Sequence, residues 1–231
     1  MVLSEEGRMN LKNNAMIGFN SPKEFFEFYT SLGILHEWKI VTGKMNDRGE
    51  RIENRGYVHT LRKLFKEKKL FRRMVSIAEI VSFLDEYHLL KRILVTLKKK
   101  LDPEQYTSLK IFLEYKIPYS KNRRIDIIFQ YGKKLLLFEF RVSATFPNQS
   151  AMWQKKELEL MIYKEFMMNY LPKDYQLYLY AFIGMPEYHH NQKIEKHIMY
   201  NKTNIDFFVD YMMTYLFDQL QRPEEFNLLK D

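Results

Sequence analysis

The chain has 231 residues, enough for one sizeable core or for a core domain with a helical extension, and its 46% hydrophobic and 16% aromatic content excludes a disordered polymer. The 37 basic residues outnumber the 29 acidic ones to give a net charge of +8, which suits a polyanionic partner such as nucleic acid and equally suits a solvated basic surface. Cysteine is absent, which removes disulfides, thiolate nucleophiles and cysteine-ligated zinc or iron–sulfur centres. The opening residues MVLSEEGRMN lack a basic-then-apolar leader, and no apolar run approaches the roughly 20 residues of a membrane span. A cytoplasmic protein without a membrane partner is expected.

Residues 1–18 are polar without periodicity and read as a loose arm. Ser21 followed by Pro22 supplies an N-cap and a first helical position, and the aromatics of KEFFEFYTSL recur at helical spacing. A helix is expected from Pro22 to about Leu32, ended by Gly33. Residues 42–56 (TGKMNDRGERIENRG) combine three glycines with dense charge and read as a surface loop, whose three arginines either touch phosphates or are simply solvated. Residues 57–71 place Val58, Leu61, Leu64 and Phe65 on one helical face. Residues 76–101 carry the strongest helical pattern, opened by the capping box Ser76–Glu79 and closed by Lys98, Lys99 and Lys100, which complement the helix dipole. These helices define an N-terminal helical lobe over residues 1–101, and Asp102-Pro103 marks its boundary with a core over residues 102–231.

The core opens with a strand, LKIFLEYKIP, closed by Pro118. In RRIDIIFQYGKKLLLFEFRV, two apolar runs flank Gly132-Lys133, which suits a type II′ turn between antiparallel strands. If Tyr131 pairs with Lys134, the register brings Asp126 opposite Glu139. Their Cβ atoms then lie about 5 Å apart, and facing like charges are unfavourable. A cation is expected between them, supplied by Arg141 on the same face or by a divalent metal. Oxygen-only ligation suits Mg²⁺ or Mn²⁺. Glu114 either faces this pair from the neighbouring strand or pairs with nearby cations.

Beyond the hairpin, residues 143–149 read as a loop and 151–171 as a long helix with an apolar stripe through Leu158, Met161, Ile162, Phe166 and Tyr170. QLYLYAFIGM is a continuous apolar strand beside the hairpin. Residues 186–202 read as a polar loop with His189, His190 and His197, whose spacing matches no familiar metal pattern, and residues 204–221 close the fold as a helix. The order gives an α/β sandwich whose strands end near the carboxylate pair.

Asp126, twelve intervening residues and then Glu139-Phe140-Arg141 resembles the signature of the PD-(D/E)XK nuclease superfamily, an Asp on one strand and Glu-x-Lys on the next. The strand–turn–strand setting and the following helix are similar too, over roughly residues 109–185. Two positions depart from the pattern: Ile125 precedes the Asp where proline is usual, and Arg141 stands in the place of the lysine. The resemblance implies a restriction-endonuclease-like fold, a central mixed sheet flanked by helices. It also implies a Mg²⁺- or Mn²⁺-dependent nuclease hydrolysing phosphodiester bonds, in DNA ahead of RNA. On that reading Asp126, Glu139 and the backbone carbonyl of Phe140 hold the metal, and Arg141 neutralises developing charge without acting as a base. The superfamily's lysine can move from the strand to the next helix, where Lys155 and Lys156 are the replacements. His59 looks like the His of a Gly-x-x-His helix opening that reaches the metal in one exonuclease branch. Glu79 and Glu86 are candidates for the supporting acid of a preceding helix, and Glu159 with Tyr163 looks like a Gln-x-x-x-Tyr pattern with Glu for Gln. DNA is the expected partner, in a homodimer or a larger nucleoprotein complex. The competing reading is a catalytically inactive nucleic-acid-binding or protein-interaction module in which Asp126, Glu139 and Arg141 form a salt-bridge network.

Overall fold

Five strands make one mixed sheet whose spatial order follows the chain: β1 (Ile17–Phe19), β2 (Lys110–Lys116), β3 (Arg124–Tyr131), β4 (Lys134–Val142) and β5 (Gln176–Gly184). The structure is a computed structural model that describes residues 17–33, 45–67, 75–117, 123–142, 149–184 and 202–219. β1 to β4 pair antiparallel in succession, and β5 joins β4 in parallel. That parallel step follows from the helix placed between those two strands. The helices are α1 (Pro22–Ser31), α2 (Met45–Ile52), α3 (Gly56–Glu67), α4 (Ile77–Leu97), α5 (Pro103–Ser108), α6 (Gln149–Met168) and α7 (Lys202–Tyr215). One apolar cluster joins α1, α3, α4 and α7 to one sheet face through Phe25, Leu61, Leu90, Ile127, Phe138 and Phe208. A smaller cluster packs Leu160, Tyr163 and Met167 of α6 on Ile128, Leu135 and Leu137 of the opposite face. The chain is therefore mixed α/β, with helices on both sides of the sheet.

The capping signals act as their chemistry requires. Ser21 Oγ accepts the Glu24 N–H, and Gly33 takes a φ of +69° just beyond α1. The Ser76–Glu79 box closes in both directions, with the Ser76 N–H donating to Glu79 Oε2 at 2.8 Å and the Glu79 N–H to Ser76 Oγ at 3.2 Å. Asp102 does more than mark a break, since its carboxylate accepts the Gln105 N–H and caps α5. Tyr131 pairs with Lys134, and Gly132 has the positive φ, +56°, that the turn's first central residue needs.

Three expectations are corrected. Ile17 and Gly18 were expected in a loose arm and instead, with Phe19, pair with Leu113, Phe112 and Ile111 as an edge strand. Three residues are too few to show a period in sequence. Residues 45–52, expected in a loop, form α2, which buries Ile52; Gly49 is needed because a Cβ there would meet the Ile77 Cγ2 methyl at 3.0 Å. The stripe expected on the long helix is rotated: Leu158 and Met161 are each 61% exposed, while Leu160, Tyr163 and Met167 face the sheet. Residues 1–16 of the arm, Pro118, residues 143–148 of the loop, the His189, His190 and His197 trio and the tail beyond 219 lie outside the described residues.

Candidate metal centre

The site forms where the strands stop alternating. On β2, Ile111 and Leu113 face the α4 side, whereas Tyr115 and Ile117 belong to the α6 side. Glu114 lies between them with a φ of +49°, a left-handed conformation that a non-glycine residue adopts at a cost of about 1 kcal/mol. β3 makes the same switch: Ile127 and Phe129 face α4, and Ile125 faces α6. Glu114 and Asp126 thus sit side by side at the switch, freed from regular pleating.

The β3–β4 ladder is regular from Tyr131–Lys134 to Ile127–Phe138, so Asp126 and Glu139 are the next facing positions. There, side chains replace backbone pairing. The Asp126 N–H donates to Glu139 Oε1 at 3.2 Å, and the Phe140 N–H donates to Asp126 Oδ2 at 2.7 Å. The expected cation between the two acids is the Lys156 ammonium, from the first half of α6. It contacts Glu139 Oε2 directly, lies 3.9 Å from Asp126 Oδ2 and 3.1 Å from Glu159 Oε2. Arg141 does not fill that role; it is exposed and lines the neighbouring cavity. Lys155, one residue from Lys156 and about 100° around the helix, points to solvent. His59 is also exposed, on α3, and is not among the residues lining the cavity.

The cavity, of about 350 Å³, opens between the first turns of α4 and the parted strands. Glu79, Ser82, Phe83 and Glu86 of α4 line one side; Glu114, Arg124, Asp126, Phe140, Arg141 and Lys156 complete it. Glu86, Glu114 and Asp126 each bring a carboxylate oxygen within 4.8 Å of the others, close enough to hold one metal ion. Glu86 is 4% exposed, and its Oε1 is buried with no hydrogen-bond partner among the described residues. A buried carboxylate oxygen with no donor is costly, and either protonation or a bound cation would relieve that cost. Glu139, at 1% exposure, does not line the cavity; its oxygens are spent on the Asp126 N–H and Lys156.

Electrostatics agree with the geometry. Burial, followed by the repulsion of Asp126 and Glu114, pushes the Glu86 carboxyl far above the ordinary range. Burial lifts Glu114 to about 8 despite Arg124, whose Nη1 lies 3.0 Å from Glu114 Oε2. Asp126 and Glu139 are raised by burial too, although Lys156 opposes the shift in both. Burial alone would lower the Lys156 ammonium, but Asp126 and Glu139 hold it above its ordinary value, so it stays charged. Glu86, Glu114 and Asp126, each raised by burial, converge on one cavity and could hold a cation there.

Among the residues that complete the site, Arg124 carried no signal of its own in a run of basic residues. Glu86 was named only as a candidate supporting acid through the resemblance, and only the two-residue spacing of Arg124 to Asp126 hinted that both share a face. Comparison of the chain with protein-family models, curated proteins and solved structures finds no match.

Proposed function

We propose that the protein is a nuclease that uses a divalent cation, Mg²⁺ or Mn²⁺, to hydrolyse phosphodiester bonds, with DNA ahead of RNA as substrate. The observation that carries this reading is the converging trio Glu86, Glu114 and Asp126 with the orphaned buried oxygen of Glu86. All-oxygen ligation in a chain without cysteine favours a hard cation over zinc. Such an ion, held by Glu86, Glu114 and Asp126, would supply Lewis-acid polarisation of a phosphoryl oxygen and acidify water for the attack. Lys156 contributes a fixed positive charge toward the charge that develops on the phosphoryl group, and its raised pKa makes it a stabiliser rather than a base. Glu139 and Glu159 hold that ammonium in place, while the Phe140 N–H orients Asp126. Arg141, exposed at the cavity, is placed to meet a flanking phosphate. The Asp126 and Glu139-Phe140-Arg141 resemblance to PD-(D/E)XK nucleases supports the same chemistry, with Lys156 in the role of the lysine that Arg141 replaces.

The second reading, a catalytically silent module, draws on one observation: Lys156 already compensates Asp126 and Glu139 within the protein. The deciding experiment incubates wild type, Asp126→Ala and Glu86→Gln with plasmid, linear, single-stranded and branched DNA in Mn²⁺. Wild type is expected to cleave at least one substrate, and each variant to lose about 10²-fold or more. Equal cleavage by all three would place the activity outside this site.

A further inference from the structure

We propose that Arg124 is the phosphate-binding group of the site and that the divalent ion controls its availability, so that metal binds before nucleic acid. The inference rests on the nuclease reading and adds an order of binding to it. The protein as a whole carries +8, yet the cavity gathers four carboxyl groups against three cations, with Glu139 immediately behind. Glu114 competes with a phosphodiester anion for the Arg124 guanidinium until a further positive charge draws on it. Arg124 stands at the start of β3, half-buried beside the trio, and in the protein alone its guanidinium is directed to Glu114. Glu114 belongs at once to that ion pair and to the carboxylate trio. An ion drawing on the Glu114 carboxylate weakens its hold on Arg124. The planar fork then presents two parallel donors to a phosphate, the geometry arginine offers and lysine does not. The left-handed backbone of Glu114 is part of the device, because it turns this acid out of the regular pleat to meet both Arg124 and Glu86.

The test is fluorescence anisotropy with a short 5′-labelled single-stranded DNA oligonucleotide, in EDTA or in Ca²⁺, with the probe checked intact and the Ca²⁺-induced rise in Tm recorded for every protein. Ca²⁺ is expected to tighten binding to wild type about tenfold. Arg124→Ala is expected to lose that increment while keeping its Ca²⁺-induced Tm rise. Its slope of log Kd against log salt in Ca²⁺ should also fall by about 0.7, which a merely structural defect would not produce. If Arg124→Ala does not fold, Arg124→Lys decides, since it keeps Glu114 paired: it should retain the salt slope and lose most of the increment. A full increment in the Arg124 variant overturns the inference, as does equal binding by wild type in EDTA and Ca²⁺ when Tm still responds to the ion. Absence of any Tm response in wild type overturns the metal centre itself, and the inference with it.

Discussion

Glu86 shows how one side chain can be costly to the fold and still be explained by chemistry. It projects from α4 into a floor shared with Glu114 and Asp126, with one oxygen unpartnered and its carboxyl driven toward the neutral form, first by burial and then by Asp126. Replacing it with Gln removes a poorly solvated acid at nearly constant volume. In EDTA at pH 8, Glu86→Gln is expected to raise stability by about 1 kcal/mol, a Tm gain of about 3 °C in a chain of this size. The same variant is expected to lose the Tm increase that Mn²⁺ gives wild type. Thermal melts in both media check this; a destabilised Glu86→Gln that still responds to Mn²⁺ would show that Glu86 serves packing alone. Residue-level reasoning on the sequence set Asp126 against Glu139 through a strand register, which is local, and named Lys156 only through the resemblance. It could not separate Lys155 from Lys156, since helix phase against the sheet is not written in two adjacent lysines.

At the scale of elements, α4 is the strut that lines one side of the cavity, and its first turn is fixed by the Ser76–Glu79 box. Glu79 faces the cavity while its Oε2 accepts from both the N–H and the hydroxyl of Ser76. Ser76→Ala is expected to cost about 1 kcal/mol, read as a lower urea midpoint at unchanged slope. No change in midpoint would mean that tertiary packing alone sets the helix start. α2 and α6 show where element-level reading fails. Glycines and charges in 42–56 suggest a loop, but Gly49 marks close packing on Ile77 and Ile52 anchors the helix. On α6 apolar residues occur on more than one face, and the sheet buries the one through Leu160, Tyr163 and Met167 rather than Leu158 and Met161.

For the whole molecule, the buried acids set a pH dependence. Glu114 moves from an ordinary 4.5 to about 8, chiefly through burial, and Glu86, Asp126 and Glu139 are raised in the same direction. A carboxyl whose folded pKa exceeds its unfolded value binds more protons in the folded state. Its contribution to stability is complete below the unfolded value and is lost as pH rises through the folded one. The Tm in EDTA is therefore expected to fall between pH 5 and pH 8, and saturating Mn²⁺, which favours the ionised forms, to flatten or reverse that fall. Melts across this window in the two media test it, and a Tm that climbs with pH in EDTA would contradict the electrostatics described for the site. Among the described residues no helix is long and apolar enough to cross a membrane.

The sequence alone determined what depends on neighbours along the chain: the caps of α1 and α4, the hairpin turn, the register that sets Asp126 against Glu139, and the exclusion of thiolate chemistry. Tertiary structure decided everything that depends on how those pieces meet. It added β1 at the sheet edge, chose the buried face of α6, put Lys156 rather than Arg141 between the facing acids, and carried Glu86 from a distant helix to Glu114 and Asp126. The reason is physical: periodicity and capping act over one turn or one hairpin, whereas a cluster of buried charges exists only after separate elements have excluded water around it.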